Sequence, residues 1–119
     1  MTYYELKDLK RRVDTQKLKV AALREQAVSV SSAADGLPHG RQVTDKTAWS
    51  VERIISGEEK LNALYTQFTG CVKAIPDEYI KTLIHCKLVK GMSWTRIALE
   101  LGGNNTGDGI RMAVIRYRW

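Results

Sequence analysis

Apolar residues return every seven positions along two long stretches of this chain, and that repeat limits the folds open to it. In the first stretch one row is Leu6, Val13, Val20 and Ala27, and the other is Leu9, Gln16, Leu23 and Val30. In the second, Val51, Glu58, Tyr65 and Val72 run beside Ile54, Leu61, Phe68 and Ile75. Spacings of three and four residues, held over about four heptads, put such side chains on one stripe of an α-helix. Each stretch carries one polar interruption, Gln16 or Glu58. Between them lies SSAADGLPHGRQVTD, rich in Ser, Gly and Pro, which predicts a loop over about 31–46. Two long helices folded back as an antiparallel, coiled-coil-like hairpin over 1–75 are the simplest architecture.

The hairpin also implies a register. Facing residues of antiparallel helices have numbers of constant sum, and a sum of 74 sets Leu6 against Phe68, Val13 against Leu61 and Val20 against Ile54. It also sets Gln16 against Glu58, so that an amide donates to a carboxylate and neither is left unsatisfied. One such polar layer fixes register at some cost in stability. Registers a heptad away, and contacts between copies through the same rows, are the alternatives.

The remaining residues read as three short helices. Pro76 breaks the heptads and sets the first turn of a new helix, with Asp77 and Glu78 where the helix dipole favours negative charge. Tyr79, Ile80, Leu83, Ile84 and Leu88 form its apolar face, and Gly91 caps its end. Ser93 starts WTRIALEL, whose buried face is expected to be Trp94, Ile97, Ala98 and Leu101. After Gly102 and Gly103, one of Asn104, Asn105 and Thr106 caps a last helix with Ile110, Ala113, Val114 and Tyr117 inward. The expected fold is all-α: a long antiparallel helical hairpin over 1–75, then a three-helix module over 76–119.

Charge is concentrated in that module. The chain has 19 basic and 13 acidic residues, net +6. From Ile80 onward Lys81, Lys87, Lys90, Arg96, Arg111, Arg116 and Arg118 face only Glu100 and Asp108, whereas the first sixty residues are nearly balanced. A basic C-terminal third points to a polyanion partner.

The glycines of GNNTGDGIR invite comparison with a phosphate loop. A Walker loop requires Lys followed by Ser or Thr after its last glycine, and a dinucleotide fingerprint requires a preceding strand. This segment has neither, and Asp108 would repel phosphate. A helix-turn-helix fits better: Ala98 lets the second helix cross closely, and Gly102, four residues on, supplies the left-handed backbone that ends the first. The outward face of the second helix then offers Asp108, Arg111, Met112, Ile115, Arg116 and Arg118 to a major groove. Arg111, Arg116 and Arg118 are the candidate DNA-binding residues of the final helix, with Asn105 and Thr106 at its start and Arg96 and Lys90 as flanking phosphate contacts. Arg111 is the expected base reader, since Arg paired bidentately to guanine is the commonest specific contact.

DEYIKTLIHCKLVKGMSWTRIALELG resembles region four of bacterial sigma factors, with Gly91, Ser93, Ile97, Ala98, Leu101 and Gly102 at the matching positions. The layout of helical part, Gly/Pro loop and C-terminal module resembles phage late-gene transcriptional regulators of the ArpU/RinA type. The turn departs from the sigma pattern, because Ile110 falls two residues later than the usual aliphatic after Gly102. The resemblance implies a phage or prophage regulator working in the host cytoplasm, with double-stranded DNA and host RNA polymerase as partners. Half-site recognition favours a homodimer. A phage protein-binding factor that docks on or inhibits a host complex, and a DNA-packaging recognition subunit, are the alternatives.

Other chemistry finds little support in the residues. Cys71 and Cys86 form no C-x-x-C pair, and His85 and Cys86, adjacent on a helix, point about 100° apart, so no metal or cofactor is expected. No acid–base pair or triad spacing marks an enzyme. No apolar run suits a membrane span or a secretion signal, so a cytoplasmic protein is expected.

Overall fold

Leu6, Leu9, Val13 and Val20 are all buried, as the heptad rows require, and the helix that carries them, α1, runs Tyr3–Ala34. The computed structural model describes residues 1–34 and 40–119, with side chains for 1–27 and 51–119. Helix α2 runs Gly40–Lys73. The loop expected over 31–46 is therefore corrected, because Ser31–Ala34 and Gly40–Lys46 are helical. Ser and Thr are mediocre helix formers but not breakers. The breakers Gly36 and Pro38, like His39, lie outside the described residues, as do the side chains of Val30 and Trp49.

Both rows of α1 are placed as expected, with Gln16, Leu23 and Ala27 half-buried. On α2 one row holds: Ile54 and Leu61 are half-buried, Phe68 and Ile75 buried. The other lies one residue earlier than expected. Gly57 is buried and Leu64 half-buried, while Val51 and Tyr65 are exposed; the expected Glu58 and Val72 are half-buried, Val72 sharing its place with Cys71. The cause is the close approach of α1 at Gly57. A Cβ there would lie 3.2 Å from Val20 Cγ2 and 3.6 Å from Gln16 Nε2, so the helices meet where a side chain is missing. The polar layer changes accordingly. The Gln16 amide donates to the Gly57 carbonyl at 3.0 Å, not to Glu58, whose carboxylate pairs with Arg24.

The chain divides into two compact units, one joining Met1–Arg11 to Thr66–Trp119 and the other comprising Arg12–Tyr65. The first unit groups the roots of both long helices with the C-terminal elements. Tyr3, Leu6, Leu9, Phe68 and Ile75 join the core made by α3 (Glu78–Ile84), α4 (Trp94–Leu101) and α5 (Gly107–Arg116). Within this unit α5 packs on α3 and on α4. Backbone pairing also ties residues 1–2 to 118–119: Thr2 and Arg118 form an isolated antiparallel bridge, and the Trp119 amide donates to the Met1 carbonyl at 3.0 Å. Among the described residues there is no strand beyond that bridge.

Local chemistry explains the three short helices. Asp77 caps α3, accepting from the amides of Tyr79 at 2.9 Å and Ile80 at 3.4 Å. Its buried face is Ile80, Leu83 and Ile84; Tyr79, expected inside, is exposed. The helix then widens into a π-turn over His85–Val89, closed by the Lys90 amide on the His85 carbonyl at 3.2 Å. Two further expectations are corrected. Leu101 is 42% exposed, because Gly102 turns the chain away from the core immediately after it. Ala113 is exposed, because the buried stripe of α5 is only Ile110 and Val114, and residue 113 points about 80° from its centre.

Candidate nucleic-acid interface

Ser93 begins the site by accepting from the Arg96 amide at 3.2 Å, which fixes the start of α4. Arg96 is thereby held on an exposed first turn, where its guanidinium lies 3.7 Å from Glu100 one helical turn on. An exposed pair of this kind is weak and easily exchanged for another anion. Upstream, Lys90 is exposed at the end of the π-turn. Lys87 sits 5.3 Å above the Trp94 ring, which meets the buried Tyr3 edge-on at 5.7 Å. Trp94 thus packs into the unit while one face holds a cation.

The turn between α4 and α5 covers five residues, 102–106. Gly102 ends α4 with φ 73° and ψ −170°, a region that is essentially glycine's alone and costs a side-chain-bearing residue about 1–3 kcal/mol. Asn105 braces the turn by donating its amide to the Gly102 carbonyl at 2.9 Å. Thr106 caps α5, its hydroxyl accepting from the Gly109 amide at 3.1 Å. Each keeps one polar function for solvent: the Asn105 side-chain oxygen accepts, and the Thr106 hydroxyl hydrogen donates. Gly107 then lies so close to α4 that a Cβ would stand 3.0 Å from the Thr95 backbone nitrogen and 3.2 Å from its Cα. The first turns of α4 and α5 are therefore in direct contact.

Helix α5 presents its candidates unevenly. Arg116 is exposed, but Arg111 is half-buried and lies 3.8 Å from Asp108. The expected base reader is thus less exposed than Arg116, while its pair with Asp108 is as weak as that of Arg96. Arg118 lies beyond the helix, exposed, with its backbone in the bridge to Thr2 and the stacked rings of Tyr117 and Trp119 on either side. Among the described residues, Lys90, Arg116 and Arg118 make no ion pair. The exposed face of α5 also includes Gly109 and Ala113, with Met112 half-buried beside them. Sequence reasoning missed Gly109, Ala113 and Lys87. Small residues carry no charge signal, and Lys87 was hidden by a helix expected to be regular to its end.

Among the described residues no three His, Cys, Asp or Glu side chains gather into a possible metal site, and both cysteines are half-buried thiols. No described helix is long and apolar enough to cross a membrane. No family model, curated protein or solved structure matches the chain.

Proposed function

We propose that the protein is a DNA-binding transcriptional regulator of phage or prophage type that grips double-stranded DNA with α4, the following turn and α5 acting as a helix-turn-helix. The observation that carries this reading is the trio of exposed cations Lys90, Arg116 and Arg118, without an ion pair among the described residues, in a unit whose two last helices are locked at their starts by Gly107 on Thr95. In this reading α5 enters the major groove, where Gly109 and Ala113 allow close approach and Arg116 reaches a base edge. Arg96, Lys90 and Arg118 neutralise phosphates, and Asn105 and Thr106 offer hydrogen bonds to the backbone where the helix begins. Arg111 takes a secondary role, because its side chain is half-buried. No acid–base or nucleophilic group is required of a protein that only binds, so the chain is read as a non-enzyme of the host cytoplasm.

A second reading is favoured by Leu99, which is 76% exposed on α4. A protein partner such as host RNA polymerase would cover that side chain, and the chain would then act by docking on or inhibiting a host complex. Duplex binding measured at two salt concentrations decides between them. Neutralising four phosphates, one per cation at Lys90, Arg96, Arg116 and Arg118, gives log affinity a slope of about −3.6 against log salt. Lys90→Glu with Arg116→Glu should abolish that binding and leave a Leu99-centred protein contact intact. Duplex binding that is absent, or indifferent to salt, would remove the DNA reading.

A further inference from the structure

The last forty residues hold two acids, Glu100 on α4 and Asp108 on α5. The Asp108 side chain is 94% exposed. Arg111 lies 3.8 Å from it, too far for a hydrogen bond and weak as an exposed pair. Capping does not occupy the carboxylate either, because Thr106 supplies the oxygen for the Gly109 amide. Its oxygens accept no hydrogen bond among the described residues. On a regular helix Asp108, Met112 and Arg116 follow one another in steps of about 40°, so the acid and the exposed arginine stand about 12 Å apart on the same side of α5. Gly109, beside Asp108 on that side, has no side chain to hold the carboxylate off an approaching surface. A first-turn acid also steadies its helix through the dipole, a role that every DNA sequence would feel alike.

We propose that Asp108 selects cytosine, its carboxylate accepting a hydrogen bond from the exocyclic amino group of that base in the major groove. The inference rests on the DNA reading above and adds the identity of one base to it. The choice follows from what the groove offers. An ionised carboxylate can only accept. Guanine presents N7 and O6 and thymine presents O4, all acceptors, so each would meet the carboxylate lone pair to lone pair. Adenine has an amino group but sets N7, another acceptor, beside it. Cytosine presents its amino group alone. Turned toward phosphates, the carboxylate would oppose the work of Lys90, Arg96, Arg116 and Arg118; turned toward the bases, its charge is offset only where a donor faces it. An acid so placed lowers affinity for every sequence that lacks the donor, which is how a repulsive group produces specificity. Arg116 is the complementary case, a donor whose partner is guanine.

Selection of duplexes from a randomised pool by the full chain tests this. The wild type is expected to fix cytosine at one position. Asp108→Ala should leave that position open, and Asp108→Asn should turn it to adenine, which an amide pairs with through N6 and N7; the other positions should stay as they were. In direct binding, exchanging that cytosine for thymine should weaken the wild type about fivefold or more and the alanine variant not at all. The alanine variant should hold random duplex at least as tightly as the wild type, because a charge that repels phosphate is gone. Both substitutions alter an exposed side chain, so helicity by circular dichroism should be unchanged. Identical base preferences in all three proteins overturn the proposal. So does an even loss of affinity for every sequence, the mark of an acid that only steadies α5. A wild type that binds duplex without fixing a cytosine overturns the assignment of Asp108 and leaves the DNA reading standing. A wild type that enriches no duplex removes that reading, and the assignment falls with it.

Discussion

Replacing Gly107 by alanine sets two physical effects against each other, and the structure says which wins. Alanine is the better helix former, by up to about 1 kcal/mol in a helix interior and less at a first position such as 107. Against this, the new Cβ would stand 3.0 Å from the Thr95 nitrogen and 3.2 Å from both its Cα and its hydroxyl oxygen. Two of those atoms are backbone and cannot rotate away. Relief requires α5 to slide off α4 by several tenths of an ångström, a strain of the overpacking kind that costs about 1–3 kcal/mol. The net expectation is a loss of about 1–2 kcal/mol and a fall in Tm of about 3–8 °C. Gly70→Ala is the matched control, in the same compact unit. A Cβ at residue 70 would meet nothing within 4 Å, so only the helix-propensity gain remains and Tm should rise by about 2–4 °C. Thermal melts followed by circular dichroism and by Trp94 fluorescence read both variants. If Gly107→Ala melts at or above the wild-type temperature, the close seating of α5 on α4 is refuted.

Three smaller perturbations probe other links. Gln16→Leu should leave stability within about 1 kcal/mol of wild type, because Gly57 is in mid-helix and the amide bond only replaces one to water, whereas Gln16→Ala should cost about 1–2 kcal/mol through the gap left behind; urea titration separates them, and a large loss for leucine would show that the amide does more. Burial, with a smaller contribution from Tyr4, lifts the Tyr3 phenol above 10.0. The stability this gives is fully present below pH 10 and is lost as pH rises through the raised folded value; the Tm difference between wild type and Tyr3→Phe should be flat to pH 10 and then move in favour of the phenylalanine variant, and a flat difference at every pH would contradict the burial. Thr106→Ala should cost about 1 kcal/mol and Thr106→Ser almost nothing, since only the oxygen that caps Gly109 matters; equal losses in denaturant titrations would mean that the methyl group, not the cap, is at stake.

Much of the fold was legible where a residue's chemistry acts locally. Ser93, Gly102 and Thr106 mark helix ends because a hydroxyl satisfies an orphan amide or a glycine takes a left-handed turn, and these need no knowledge of distant neighbours. The rows of α1 were equally readable, since large aliphatics at strict spacing have one side to hide. On α2 the same reasoning slipped by a residue. Leu64 and Tyr65 are both apolar, and what decides between them is the gap at Gly57, which pattern reading treats as an absence; Cys71 and Val72 are half-buried alike. Tyr3 was also passed over, because its burial depends on Trp94 ninety-one positions later in the chain. At the candidate interface, charge singled out Arg116 and Arg118 on exposed ground. It could not foresee that Arg111 would be half-buried, nor that Ala113 would point outward, because both follow from which side of α5 its neighbours cover.

The unit that holds α3, α4 and α5 takes residues from both sides of a 54-residue excursion, Arg12 to Tyr65. As a floppy segment, that excursion would cost on the order of 3–4 kcal/mol to close; as a hairpin that has already zipped, it brings Leu6 and Phe68 into one unit with little further loss of entropy. On the ribosome the order is therefore imposed. Tyr3 and Leu6 emerge before the elements that cover them and wait, uncovered, while the hairpin forms behind them, and the burial of their side chains is completed only when α5 has left the exit tunnel.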